Sequence, residues 1–211
     1  MRSIYNLLAL FLLPAWSVVR IMTVFSLSGF SSLTRRTAVC AGLTAVMAVW
    51  ALPVQAQDFE LTGRVVRVAD GDTLTILPSN NRQVRVRLAS IDAPETTKDS
   101  RRPGQPFAVA SRRFLSDLVS GKHLTLSCYE RDRHGRAVCD VPLADGETAN
   151  QKLVRAGMAM ANREKRGRFL RDPRIDQLER EAKEAGVGIW SEPSPVPPWK
   201  WRYDCWQQGQ C

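Results

Sequence analysis

The segment RQVRVRLASI, residues 82–91, alternates apolar and charged residues with a period of two. Val84, Val86 and Leu88 fall on one face and Arg85 and Arg87 on the other, the pattern of a half-buried β-strand. If the valine face is core, Arg87 stands on the solvent side of the sheet. Upstream, residues 61–68 and 73–77 read as strands flanking an Asp70-Gly71 turn within VADGDT, and Asp-Gly between two apolar runs is a strong hairpin signal. Downstream, HLTLSCY (123–129) and RAVCDVPL (136–143) read as two more strands, with RDRHG supplying the turn between them.

Helical periods separate and follow these strands. Phe107, Ala110, Phe114 and Leu118 recur at helical spacing, with Arg112 and Arg113 off that stripe. Thr148 and Gln151 form a capping box ahead of Lys152-Leu153-Val154, and Gly157 ends that helix. Asp172-Pro173 starts a third helix, with a predicted buried stripe of Ile175, Leu178, Ala182 and Ala185, and Gly186 stops it. Three strands, a helix, two strands and two helices suggest a small closed barrel, for which the five-stranded OB-fold is the commonest solution. The tail, SEPSPVPPWKWRYDCWQQGQC, is Pro- and Trp-rich and reads as an extended arm packing its tryptophans on the domain.

The N-terminal part has a different composition. Residues 35–56, RRTAVCAGLTAVMAVWALPVQA, run from two arginines through an apolar stretch to a small-residue end, the order of a secretory signal. Cleavage is expected after Ala56. The apolar run is short and broken by Pro53, which disfavours a membrane span. A second apolar run, residues 4–19, is interrupted by Pro14 and is simplest to read as lying upstream of a true start at Met22. The expected organisation is an export region over 1–56, a folded domain over 57–192 and the tail over 193–211. The product is periplasmic or secreted, with no membrane attachment after cleavage.

The whole chain carries a formal charge of +9. Arg2, Arg20, Arg35 and Arg36 precede the cleavage point and no acidic residue does, so the remainder is +5. A basic exported domain suggests an anionic partner. Four cysteines follow Ala56: Cys128, Cys139, Cys205 and Cys211. An even count in an exported chain favours two disulfides, and the wide spacings do not suit zinc. Positions 128 and 139 are symmetric about Arg133-His134, so in simple hairpin register they face each other; Cys205 and Cys211 then pair across WQQGQ.

Charged side chains gather at the strand ends. Asp70 and Asp72 bracket Gly71; RLASIDAPE places Arg87, Asp92 and Glu95 within nine residues; DRHGR adds Arg136. Phosphoryl chemistry needs such groups. A hard cation takes oxygen ligands, which Asp72 and Asp92 can supply. A carboxylate such as Glu95 can accept a proton from an attacking water. Two guanidinium forks can neutralise charge building on a phosphate.

With DGDT, RLASIDAPE, DRHGR, ETANQKLVRAGMA and GIWSE in this order, the segment 61–191 resembles the staphylococcal nuclease (thermonuclease) family. The resemblance implies an OB-fold barrel with three helices that cleaves DNA and RNA with calcium and leaves 3′-phosphate ends. It makes Asp72 and Asp92 the calcium carboxylates, with the main-chain oxygen of Ala93 as a third ligand. Glu95 would position or deprotonate water, Arg87 and Arg136 would bind the scissile phosphate, and Asp70 would support the ligands from behind. The chain departs from the family's best-known member in MANREKRGRFL, which lacks the tyrosines that contact the nucleotide there; arginines and Phe169 are available for stacking instead. His134, in a turn, is assigned no role. Nucleic acid is the expected substrate, no stable protein partner is implied, and a monomer is expected. The competing readings are a non-catalytic OB module that binds single strands and an envelope or adhesion protein that uses the Trp-rich tail.

Overall fold

The computed structural model describes residues 58–211. The expected export region lies outside them, apart from which every element above can be followed. Five strands close into a barrel in the order β1-β2-β3-β6-β5. They are β1 (Phe59–Asp70), β2 (Thr73–Leu77), β3 (Val84–Leu88), β5 (His123–Arg131) and β6 (Ala137–Asp140). All neighbours are antiparallel except β3 and β6, which run parallel and pair Val86 with Ala137 and Leu88 with Cys139. The inward face of β3 is apolar as its alternation requires: Val86 and Leu88 are buried and Arg85 is exposed. These side chains join Leu74, Ile76 and Leu126 in the core.

The hairpin β5–β6 sets Cys128 opposite Cys139, and the two are disulfide-bonded; Cys205 and Cys211 form the second bridge. A second, two-stranded sheet, β4 (Ile91–Asp92) with β7 (Met160–Ala161), has no counterpart in the sequence reading because each strand is only two residues long. Its pairing holds Asp92 opposite Met160.

Helix α1 (Ala108–Val119) fully buries Ala108, Ser111, Leu115 and Val119, while Phe114 and Leu118 of the expected stripe are half-buried and pack against the same core. Ala110 is exposed. The cause lies at the helix start: Phe107 adopts a left-handed conformation (φ 65°), so it precedes the helix instead of opening its buried stripe. The face one residue further on carries the small residues Ala108 and Ser111, and it presses against the β1–β2 turn. A Cβ on Gly71 would lie 1.9 Å from Ser111 Oγ and 2.8 Å from the Ala93 Cβ. Gly71 is therefore required by close approach of the helix.

Helix α2 (Ala149–Arg155) begins with the full capping box of Thr148 and Gln151. Its end meets the GIWSE segment at two glycines: a Cβ on Gly157 would lie 2.1 Å from the Val187 carbonyl oxygen, and Ile189 N–H donates to the Gly157 carbonyl at 2.8 Å. Residues Glu164–Gly167 form a short irregular turn, α3. In α4 (Arg174–Glu184) the buried stripe is Ile175, Leu178, Glu179 and Ala182. Ala185 lies beyond the last helical residue and is exposed, while the carboxylate of Glu179 is buried because Ala161 N–H, Arg163 and Lys183 all donate to it. The Asp172 carboxylate accepts from Arg174 N–H at 2.9 Å, capping the start of α4 from one residue upstream of Pro173.

The tail is not an extended arm throughout. Pro198–Trp201 form α5 and Arg202–Gln207 continue as a π-helical turn. Its tryptophans do dock on the domain: Trp201 and Trp206 both donate their indole N–H to the Pro103 carbonyl, at 3.1 and 2.8 Å. Among the described residues no helix is long and apolar enough to cross a membrane.

Candidate active site

One end of the barrel collects the acidic residues. The β1–β2 turn delivers Asp70 and Asp72, β4 delivers Asp92, and the loop after it carries Ala93 and Glu95; all four carboxylates are buried. Arg87, on the outward face of β3, is not solvated. It is clamped between Asp72 Oδ2 at 3.1 Å and Asp92 Oδ1 at 2.5 Å. The outward direction set by β-alternation therefore becomes the direction of the site.

Hydrogen bonds fix each carboxylate. Asp72 accepts from Ala93 N–H at 3.1 Å and from the Thr73 hydroxyl at 2.8 Å, which ties the β1–β2 turn to the loop after β4. Burial opposes its ionisation, but Arg87 and these two donors prevail and hold Asp72 below the usual carboxylate range. Asp70 is held by the Lys98 ammonium and by the amide and hydroxyl of Thr96, at 3.3 and 3.2 Å, so it braces the loop that carries Glu95. For Glu95 burial dominates, and with the neighbouring charge of Asp72 it raises the pKa above the ordinary value. A raised carboxylate is a better proton acceptor once ionised. Burial likewise outweighs the pull of Arg87 and Arg202 on Asp92 and shifts it upward.

Arg202 was not singled out in the sequence. Its guanidinium reaches across from the tail and donates to Asp92 Oδ1 at 3.1 Å, Asp92 Oδ2 at 2.8 Å and Glu95 Oε1 at 2.7 Å. The only local hint is an arginine set between tryptophans in WKWRYDCW; the contact spans 110 residues, and no periodicity reports it.

Arg136 stands apart from this group. Among the described residues it makes no contact with Asp72, Asp92 or Glu95; its backbone N–H and its guanidinium both donate to Asp132, at 2.9 and 2.7 Å. It is held at the β5–β6 turn, with its side chain 22% exposed. His134 is exposed in that turn. In MANREKRGRFL, Arg163 is engaged by Glu179 and Asp176, and the Lys165 ammonium lies 5.7 Å from the centre of the Phe169 ring.

Among the described residues no group of three or more His, Cys, Asp or Glu side chains is drawn together as a finished metal cage. Two arginines hold the acids instead. The donors nonetheless suit a hard cation: they are oxygens, and a positive group is already seated between Asp92 and Glu95.

Residues 85–192 match the family model described as staphylococcal nuclease homologue. The chain belongs to the staphylococcal nuclease family. Among its relatives, an uncharacterized endonuclease of Escherichia coli O157:H7 is 39% identical over 158 residues, covering 75% of this chain and 94% of that protein. A micrococcal nuclease of Shigella flexneri is 37% identical over 182 residues, 82% of this chain and 94% of its own length. A thermonuclease of Staphylococcus hyicus is 33% identical over 134 residues, 63% of this chain and 77% of its own. The closed five-stranded barrel with its flanking helices is the fold expected of a staphylococcal nuclease, and the protein is a nuclease. The matched range holds Arg87, Asp92, Glu95 and Arg136, whereas Asp72 and Arg202 lie outside it.

Proposed function

We propose that this nuclease is exported, depends on calcium, and hydrolyses phosphodiester bonds of DNA, RNA or both to leave 3′-phosphate ends. The observation that carries the reading is the buried, oxygen-only donor set of Asp72, Asp92 and Glu95, beside an arginine clamped by two of its members. Asp72, Asp92 and the Ala93 carbonyl would hold the calcium ion. When bound, calcium supplies positive charge to a phosphoryl oxygen and lowers the pKa of coordinated water.

The protein's own groups do the rest. Glu95 takes the proton of the attacking water as its oxygen bonds to phosphorus. Arg87, held by Asp72 and Asp92, donates to the non-bridging oxygens as negative charge builds there. Arg136, held by Asp132 at the β5–β6 turn, would have to turn its guanidinium from Asp132 to donate to the same phosphate. The bond from phosphorus to the 5′-oxygen breaks, that oxygen is protonated from solvent, and the phosphate stays on the 3′ side. Export is supported by the signal-like residues 35–56 and by two disulfides, which suit an oxidising compartment.

The test is to incubate the protein with DNA and with RNA, in calcium and in excess chelator, and to determine the end groups. Calcium-dependent cleavage to 5′-hydroxyl and 3′-phosphate ends is expected. Full activity in chelator would overturn the calcium assignment, and binding without cleavage in calcium would favour a non-catalytic module.

A further inference from the structure

We propose that Arg202 is a tethered cation that competes with the divalent ion for Asp92 and Glu95, so that metal binding and docking of the C-terminal tail exclude one another. The inference rests on the calcium reading above.

Geometry carries it. A carboxylate offers about four lone-pair directions. Arg202 takes one on each oxygen of Asp92, at 3.1 and 2.8 Å, and Arg87 takes another on Oδ1 at 2.5 Å. The same guanidinium occupies Glu95 Oε1 at 2.7 Å. That leaves Asp92 one free direction, on Oδ2, beside the Arg202 guanidinium, so a metal ion bound there would sit against that positive charge, and like charges at such range repel. The side chain is 24% exposed, so it has room to leave without opening the core.

The rest of the tail is built to return it. Trp201 and Trp206, on either side of Arg202, share the Pro103 carbonyl as acceptor. Gln105 Nε2 donates to the Val196 carbonyl at 3.0 Å. Cys205, three residues after Arg202, is buried and bridged to Cys211. These contacts keep the guanidinium at high local concentration over the acids, as a linker does for a second binding group. The site is closed at low metal and opens as metal rises, and the apparent metal affinity is weakened by the docked fraction of the tail.

The experiment measures calcium binding to the full protein without nucleic acid, by calorimetry or equilibrium dialysis, for wild type, Arg202→Gln and Trp206→Phe. Arg202→Gln should bind calcium about 10- to 100-fold more tightly, the worth of the lost charge-assisted hydrogen bonds. Trp206→Phe keeps Arg202 but loses one anchor, and should shift affinity in the same direction by less. In wild type, tryptophan fluorescence should change along the calcium isotherm as Trp201 and Trp206 leave Pro103, and melting curves confirm that the variants remain folded. Equal or weaker calcium binding by Arg202→Gln, with wild type still binding, overturns the competition alone. Absence of calcium binding in every protein overturns the competition and the calcium reading together.

Discussion

Glu95 and Gln105 hold each other by two hydrogen bonds: Glu95 N–H donates to Gln105 Oε1 at 3.1 Å, and Gln105 N–H donates to the Glu95 carbonyl at 2.8 Å. The loop that presents Glu95 is thus closed on itself across ten residues. In the proposed mechanism Gln105 touches neither substrate nor water; it positions Glu95, the group assigned to the attacking water. Gln105→Ala should lower kcat roughly tenfold with little change in KM, because a misplaced base costs turnover rather than substrate binding. Steady-state kinetics at saturating calcium check the split.

Glu95→Gln and Arg136→Ala should each lower turnover by at least ~100-fold while the melting temperature moves little. Glu95 lies in a loop and Arg136 at a turn, and neither belongs to the apolar core. Single-turnover rates beside thermal melts decide the matter; near-normal rates in either variant would remove that residue from the mechanism.

Asn150→Ala should be costly for stability. The side chain is buried and makes four hydrogen bonds: it accepts from Val141 N–H and donates to the carbonyls of Ala89 and Cys139 and to the Asp140 carboxylate. It stitches α2 to the ends of β3 and β6. Leaving these partners unpaired should cost at least about 2 kcal/mol. Urea unfolding of the variant against wild type measures it.

Replacing both Cys128 and Cys139 by alanine should destabilise the fold only modestly, below the ~3 kcal/mol that chain entropy assigns to a loop of this size. The two positions are already neighbours in the β5–β6 register. Since the bridge braces the turn that carries Arg136, activity should fall further than stability. Parallel melts and nuclease assays of the double variant test this.

Local patterns carried most of the barrel. Alternation located β3 and told Val86 from Arg87, and the capping box started α2. Symmetry about Arg133-His134 named the right cysteine pair, but the register beside the turn pairs Arg131 with Ala137 and Glu130 with Val138, and a bulge between Cys128 and Glu130 brings Cys128 opposite Cys139. The acidic end was legible too, because Asp72, Arg87, Asp92 and Glu95 sit in short, separated motifs. Legibility failed where a choice depended on distant contacts. Two adjacent faces of α1 were apolar enough to be buried; the helix turns the Ser111 face inward against Gly71 and leaves Phe114 and Leu118 at the core's edge. Glu179 could not be read as buried because its partners Arg163 and Ala161 lie on another segment. Arg202 was invisible for the same reason, and Asp132 gave no sign that it would hold Arg136 away from the acids.

The contact between Gly71 and Ser111 also bears on how the site breathes. With no space for even a methyl group between them, the turn carrying Asp70 and Asp72 cannot shift toward α1. Lys98 and Thr96 restrain it from the side of the Glu95 loop. Its opening is therefore coupled to release of the first turn of α1. In hydrogen exchange, the amides of the turn and those at the start of α1 should exchange as one cooperative unit, slower than the exposed tip around Gly135. The turn that carries Asp70 and Asp72 then inherits the kinetic protection of a helix although it is itself a loop.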